Sequence, residues 1–106
     1  MKKYSVLFTP DAEKDLATIY DYIAITKGMP DVAWAYILKL KKSCETLENA
    51  PIRGRKRDDL RPNLRVLSLA KNAVAAFEVD KEKQTVTILN VFYGGKDYDA
   101  IIRVSP

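Results

Sequence analysis

The hydrophobic period of this chain changes from helical to strand-like across a single basic loop. Between residues 12 and 47 apolar side chains recur every three or four positions. Between residues 65 and 93 they come instead in short β-rich runs parted by turn residues. A chain of 106 residues has room for one domain, so the helical part and the strand part must share a core. The expectation is a single α+β domain over residues 1–106, with helices packed on a sheet.

Tyr4-Ser5-Val6-Leu7-Phe8 is short and β-prone, and the Thr9-Pro10 behind it is an N-cap and first-turn pair, so a strand runs into a helix. Ala12, Leu16, Ile19, Tyr20 and Ile23 follow at helical spacing. Asp11, Glu13 and Asp15 suit the positive end of the helix dipole, and Lys27-Gly28 stops a helix over roughly residues 10–27. Pro30-Asp31 opens a second helix whose stripe of Ala33, Ile37, Leu40, Cys44 and Leu47 runs until Ala50-Pro51. Joined so closely, the two predict an antiparallel hairpin. Cys44 reads as a buried small hydrophobe. Trp34 and Leu38 lie beside the stripe and widen the apolar face, either as core or as an exposed patch awaiting a partner.

Residues 65–70, 73–80 and 85–93 read as strands, with Lys71-Asn72 and Lys81-Glu82-Lys83-Gln84 as hairpin turns, an antiparallel meander. The order is therefore β-α-α-β-β-β, a helical hairpin packed on a mainly antiparallel sheet. In the last run Ile88, Leu89, Val91 and Phe92 put apolar side chains on both faces, which predicts a central strand or one whose far face is covered, by a partner among other things. Gly94-Gly95 ends it. Residues 96–104 suit a short helical turn and an extended tail equally.

Composition then narrows the chemistry. With 47% apolar and 30% charged residues the chain is too hydrophobic to stay disordered. It carries no apolar run near the ~18 residues of a membrane span. The start, Met1-Lys2-Lys3-Tyr4, shows no cleavable signal, and the expected location is the cytoplasm. There are 18 Lys and Arg against 14 Asp and Glu, for a net +4, and residues 53–65 hold six of the cations and only two of the anions. The whole excess lies in that loop. Its forked guanidinium groups fit phosphate or carboxylate; the alternative is a solvated loop with local pairs through Asp58 and Asp59. No His is present, which excludes Ser-His-Asp and Cys-His mechanisms and the commonest metal ligand, and a lone Cys44 makes neither an internal disulfide nor a cysteine cluster. No metal or cofactor is expected. Asp58 and Asp59, adjacent in a loop, tend to point apart, and Gly94-Gly95 lacks the Gly-Lys-Ser/Thr of a phosphate loop. Arg, Lys and Tyr remain, a set that binds polyanions and is able in principle to cleave RNA without metal or His.

Seven segments, in order along nearly the whole chain, resemble the ParE toxins of type II toxin-antitoxin modules, in the RelE/ParE superfamily. They are Phe8-Thr9-Pro10, Asp15-Leu16, Ile19-Tyr20-Asp21-Tyr22-Ile23, Pro51-Ile52-Arg53-Gly54, Arg57-Asp58-Asp59-Leu60-Arg61-Pro62, Leu64-Arg65 and Phe92-Tyr93-Gly94-Gly95-Lys96-Asp97-Tyr98. Asn63 stands where the family form has Gly, a small departure because Asn also tolerates left-handed backbone angles.

The resemblance implies a toxin that inhibits DNA gyrase by binding and is neutralised by a cognate ParD-like antitoxin in a hetero-oligomer, with no small-molecule substrate and no membrane. Arg53, Arg55, Lys56, Arg57, Arg61 and Lys96 are then the residues expected to meet the target or nucleic acid. Ile19, Tyr20, Ile23, Trp34 and Leu38 are those expected under the antitoxin, as a helix in the groove with an added strand. Two alternatives stay open. RelE-like members resemble ribosome-dependent mRNA endonucleases, for which Arg65 and Tyr98 are the catalytic candidates here, although Val74 stands about where that group carries an Arg on the third strand. The other is a domain that has lost toxicity and only binds its antitoxin.

Overall fold

The computed structural model describes residues 3–104; Met1-Lys2 and Ser105-Pro106, the ends of the expected 1–106 domain, lie outside the described residues. Strand β1 (Ser5–Phe8) passes into α1 (Pro10–Asp21) at Thr9, whose hydroxyl accepts the Ala12 N–H at 3.1 Å. The expected first helix continues past α1 as one π-helical stretch, Tyr22–Thr26, and stops at Gly28 with φ +67°. Next comes α2 (Pro30–Glu45), with a 3₁₀ turn over Thr46–Glu48 before Pro51. The strands that follow are β2 (Arg55–Lys56), β3 (Leu64–Ser68), β4 (Ala73–Asp80) and β5 (Thr85–Tyr93), and α3 (Tyr98–Val104) closes the chain. Residues 98–104 thus take the helical option, and β2 is a two-residue strand inside what the sequence presented as loop.

The sheet order is β1-β5-β4-β3-β2, antiparallel throughout except for β1 beside β5. The α1–α2 hairpin covers one face. There Leu16, Ile19, Ile23, Ile37, Leu40, Cys44 and Leu47 meet Phe77, Val86, Ile88 and Val91 in the main core. Burial pushes the Cys44 thiol up to about 12, so this cysteine packs as a hydrophobe. The other face has its own cover. Leu64, Val66, Ala76 and Phe92 pack under Leu60, Tyr98 and Ile102, so the chain's own C-terminal helix, where a partner had been one expectation, lies over the far side of β5.

A bulge explains how β5 serves both faces. Ala76 pairs with Asn90 and Phe77 with Ile88, which leaves Leu89 without a partner on β4. The inserted residue switches the alternation, so Ile88 and Val91 both face the hairpin while Leu89 and Phe92 face α3. The backbone groups freed there are satisfied from the start of the chain. The Thr9 hydroxyl donates to the Leu89 carbonyl at 2.9 Å, and an Asp15 carboxylate oxygen accepts the Val91 N–H at 2.9 Å and the Asn90 side-chain amide at 3.1 Å.

Candidate functional site

Two surfaces of opposite character adjoin this core. The first is a groove of about 310 Å³ between α1 and α2, walled by Leu16, Ala17, Tyr20, Trp34 and Ile37 and edged by Glu13, Asp21 and Lys41. Trp34 is 59% exposed and Leu38 49%, and the Trp34 ring meets Tyr20 edge to face with centroids 6.4 Å apart. Ile19 and Ile23 do not join them. They continue the Ala12–Leu16 stripe at helical spacing and are 4% and 5% exposed in the core, so of the five residues grouped as a partner surface only Tyr20, Trp34 and Leu38 reach the outside.

The second is the basic segment. Gly54 fixes its entry: with φ +76°, a Cβ there would sit 2.2 Å from the Val66 carbonyl oxygen, so only glycine lets β2 lie against β3. Further on, Asn63 takes φ +65° and its N–H donates to Asp58 at 2.8 Å. Asp58 and Asp59 point apart, because Asp59 turns to Arg57. That arginine is the structural centre of the loop. Its guanidinium grips Asp59 with two bonds of 2.9 and 2.8 Å and Asp99 of α3 with two of 3.0 and 2.9 Å, and it lies 5.9 Å from the Tyr98 ring centroid. Arg103 adds a 3.3 Å contact to Asp59. These bonds raise the Arg57 pKa, hold Asp59 down at about 2 and lower that of Asp99, hydrogen bonding to Arg57 being the leading cause for both carboxyls.

Arg57 is therefore occupied inside the molecule, which the sequence left open when it allowed local Arg–Asp pairs through Asp59. It ties the loop to α3 and has no free fork for a target phosphate. Lys56 sits 3.5 Å from Asp58 with both side chains more than half exposed, a weak attachment that solvent screens. Arg53 donates to the Thr46 hydroxyl at 2.8 Å, while Arg55, Arg61 and Lys96 enter none of the ion pairs formed among the described residues. These are the cations left for a partner. Asp99 and Arg103, which complete the Arg57 cluster, carried no sequence signal because the clamp forms only once α3 has docked.

Arg65 and Tyr98 are not brought together. On β3 the buried Leu64 and Val66 face α3, so the intervening Arg65, opposite Phe77, faces the hairpin side and reaches the Arg53 carbonyl at 3.4 Å. Tyr98, on the α3 side of the sheet, packs on Phe92 and receives a 3.4 Å bond from Arg57. Among the described residues no group of three or more Cys, Asp or Glu is placed to hold a metal ion, and no helix is long and apolar enough to cross a membrane.

Comparison with known proteins adds the family. The chain of the chromosomal ParDE toxin-antitoxin system from P. aeruginosa is similar over 86% of this chain and 96% of its own, with 25% identity and a TM-score of 0.72. The isolated E. coli RelE toxin shares the fold at 17% identity and a TM-score of 0.62, over 96% of this chain and 99% of its own. The RelBE2 toxin-antitoxin complex from Mycobacterium tuberculosis gives 20% identity and 0.59, over 87% and 99%. No curated protein matches in sequence. The family model for the ParE toxin of the type II toxin-antitoxin system parDE matches residues 6–98, nearly the whole of the fold described above. The chain belongs to the ParE toxin family of type II toxin-antitoxin systems.

Proposed function

We propose that this toxin acts on DNA gyrase by binding, holding the enzyme on cleaved DNA, and that a ParD-like antitoxin neutralises it by laying a helix in the α1–α2 groove. The observation that carries the first half is the separation of Arg65 from Tyr98. A metal-free ribonuclease needs a cation and a proton carrier within about 3 Å of the same reacting oxygens. Here the two candidates lie on opposite sides of the sheet, Tyr98 is packed under Arg57, and Val74, on β4, stands about where the endonuclease group carries its Arg. A binding surface has no such requirement. Arg53, Arg55, Arg61 and Lys96 supply cations for DNA or for an acidic protein surface, with Lys56 easily released.

The antitoxin half rests on the exposed Trp34 and Leu38 beside the half-buried Tyr20, and on charges that flank the groove on both helices, Glu13 and Asp21 on α1 and Lys41 on α2. An amphipathic helix with apolar anchors at helical spacing fits that groove.

Purified toxin added to a gyrase supercoiling reaction, and separately to a translating ribosome extract, tests the reading. Loss of supercoiling with accumulation of cleaved plasmid, and intact messenger RNA in the extract, is the expected result. Codon-positioned cuts in the messenger that disappear with Arg65→Ala or Tyr98→Phe would replace it by the endonuclease reading. Inactivity in both assays with retained antitoxin binding would leave a non-toxic binding domain.

A further inference from the structure

Two cavities at the Tyr93 end of the sheet share Lys96 in their walls, one of about 340 Å³ and one of about 380 Å³. The first is built from Thr18, Ile19, Tyr22, Tyr93 and Gly94; the second runs across Ser68, Lys71, Asn72 and Gly95. Neither wall contains a carboxylate. The groove between α1 and α2 has Glu13 and Asp21, the cleft beside α3 has Asp11, and the depression at the opposite end of the sheet has Glu78, Asp80 and Glu82. In a chain with 14 acidic residues this pair stands apart, and lysines mark it on three sides, Lys27, Lys71 and Lys96.

Aromatic rings line the first cavity, which opens on the hairpin face, whereas Val74 and Phe92 in the wall of the second put it on the α3 face, with Lys96 on the rim between them. Tyr22, 44% exposed, tilts onto Tyr93 with centroids 6.0 Å apart, and Tyr93 meets Tyr36 edge to face at 5.6 Å. Tyr36 is fixed in turn by its hydroxyl, which donates to the Lys71 carbonyl. Lys27 lies 5.5 Å from the Tyr22 ring centroid. The neighbouring acids are engaged elsewhere: Asp21 lines the α1–α2 groove, Asp97 caps the Ala100 N–H, and Asp15 holds the bulge. Tyr22 sits where α1 gives way to the π-helical stretch, a distortion that recurs at functional sites.

We infer that this tyrosine cluster is a binding site for an unpaired stretch of nucleic acid, with a base stacked on Tyr22 and Tyr93 and the backbone phosphates following Lys96 over the rim of the sheet to Lys71. Flat rings beside isolated cations are the two elements that single-strand binders combine, and a site free of carboxylates does not repel the phosphates. The inference goes beyond the gyrase reading and does not rest on it: it shares only Lys96 with the cations named there, and Tyr22, Tyr93 and Lys71 line neither the antitoxin groove nor the Arg57 loop.

The test is fluorescence anisotropy of the purified full chain with labelled 12-nucleotide single strands, deoxythymidine and uridine oligomers in parallel, at 50 and 150 mM salt. Binding is expected at 50 mM. Tyr22→Leu should weaken it about 5- to 150-fold, the range of one lost base–aromatic stack, whereas Tyr22→Phe should keep it. Lys96→Gln should lower the salt slope by about 0.7. Tighter binding of one oligomer identifies the sugar recognised, deoxyribose or ribose. Tyr22 is exposed, and an unchanged melting temperature verifies the fold of each variant. No binding by the wild-type chain, or binding that Tyr22→Leu and Lys96→Gln leave intact while Arg55→Glu with Arg61→Glu removes it, overturns the site. Gyrase inhibition is read in a different assay, so either inference fails without the other.

Discussion

The sheet is covered on both sides, by unequal means. On the hairpin side fifteen buried residues form one continuous cluster, with Phe77, Leu40 and Leu47 wholly out of solvent. On the α3 side four buried residues lie under a seven-residue helix, and its attachment runs through the Arg57 cluster and the Phe92–Tyr98 contact. A helix of two turns has little stability of its own in water and is held only by what it docks against. One face is therefore secured by apolar area, insensitive to salt and pH, and the other by a small core plus charges that are sensitive to both. Apolar members of the family segments lie on both faces, Leu16 and Ile19 on the first and Leu60, Leu64 and Phe92 on the second, whereas Arg57 and Asp59 serve the second alone.

Removing a large side chain from each face should break the symmetry most visibly. Phe77→Ala should cost about 3–5 kcal/mol of global stability, seen as a lower denaturant midpoint in a single transition. Phe92→Ala, at the smaller core, should cost less and chiefly free α3, read as fast amide exchange confined to residues 98–103. An equal loss from both variants, with exchange spread over the whole sheet, would make the two faces one cooperative unit.

The outward side of the hairpin provides the next comparison. Trp34→Ala should weaken antitoxin binding by about 2 kcal/mol or more if the indole is an anchor in the groove. Because Trp34 is 59% exposed, its own effect on folding should stay within about 0.5 kcal/mol. Titration calorimetry beside thermal unfolding separates the two. An unchanged dissociation constant would move the antitoxin off this groove.

Much of this was legible from periodicity alone. Both helices, all three meander strands and the core stripe from Ala12 to Leu47 follow from spacing, because burial on one face forces a period that local sequence records. The bulge at Leu89 was visible only as an oddity, apolar residues on both faces of one run, since a single inserted residue leaves no local mark beyond a broken alternation. The basic segment was the least legible. Its composition identified a cationic loop, but which cations remain free depends on Asp99 and Arg103, some forty residues away. Ile19 and Tyr20 make the same point at closer range: adjacent in sequence, one is core and the other rim, and the difference is one step around a helix.

The smallest expected effect is the one that reports most directly on how α3 is held, and it appears in acid. Asp59 is held at about 2 and Asp99 below its usual range by Arg57, whereas in the unfolded chain both return toward about 3.9. A folded pKa below the unfolded one means the stabilisation is present above the unfolded value and is lost as pH falls through the folded one. Docking of α3 should therefore be constant from pH 7 to about 5 and loosen between about 4 and 2. Over that window the anchored hairpin side should keep its amide protection, while residues 98–103 lose theirs. Added salt should imitate the loss in part at neutral pH, because Asp59 and Asp99 are half exposed and partly screened. Arg57→Gln removes the charge that lowers both carboxyl values, so in that variant α3 should exchange faster at pH 7 and show little further change on acidification to pH 3. If wild type and Arg57→Gln exchange alike across the whole range, the apolar contacts of Phe92, Tyr98 and Ile102 hold the helix unaided, and the two faces of the sheet differ in size but not in kind.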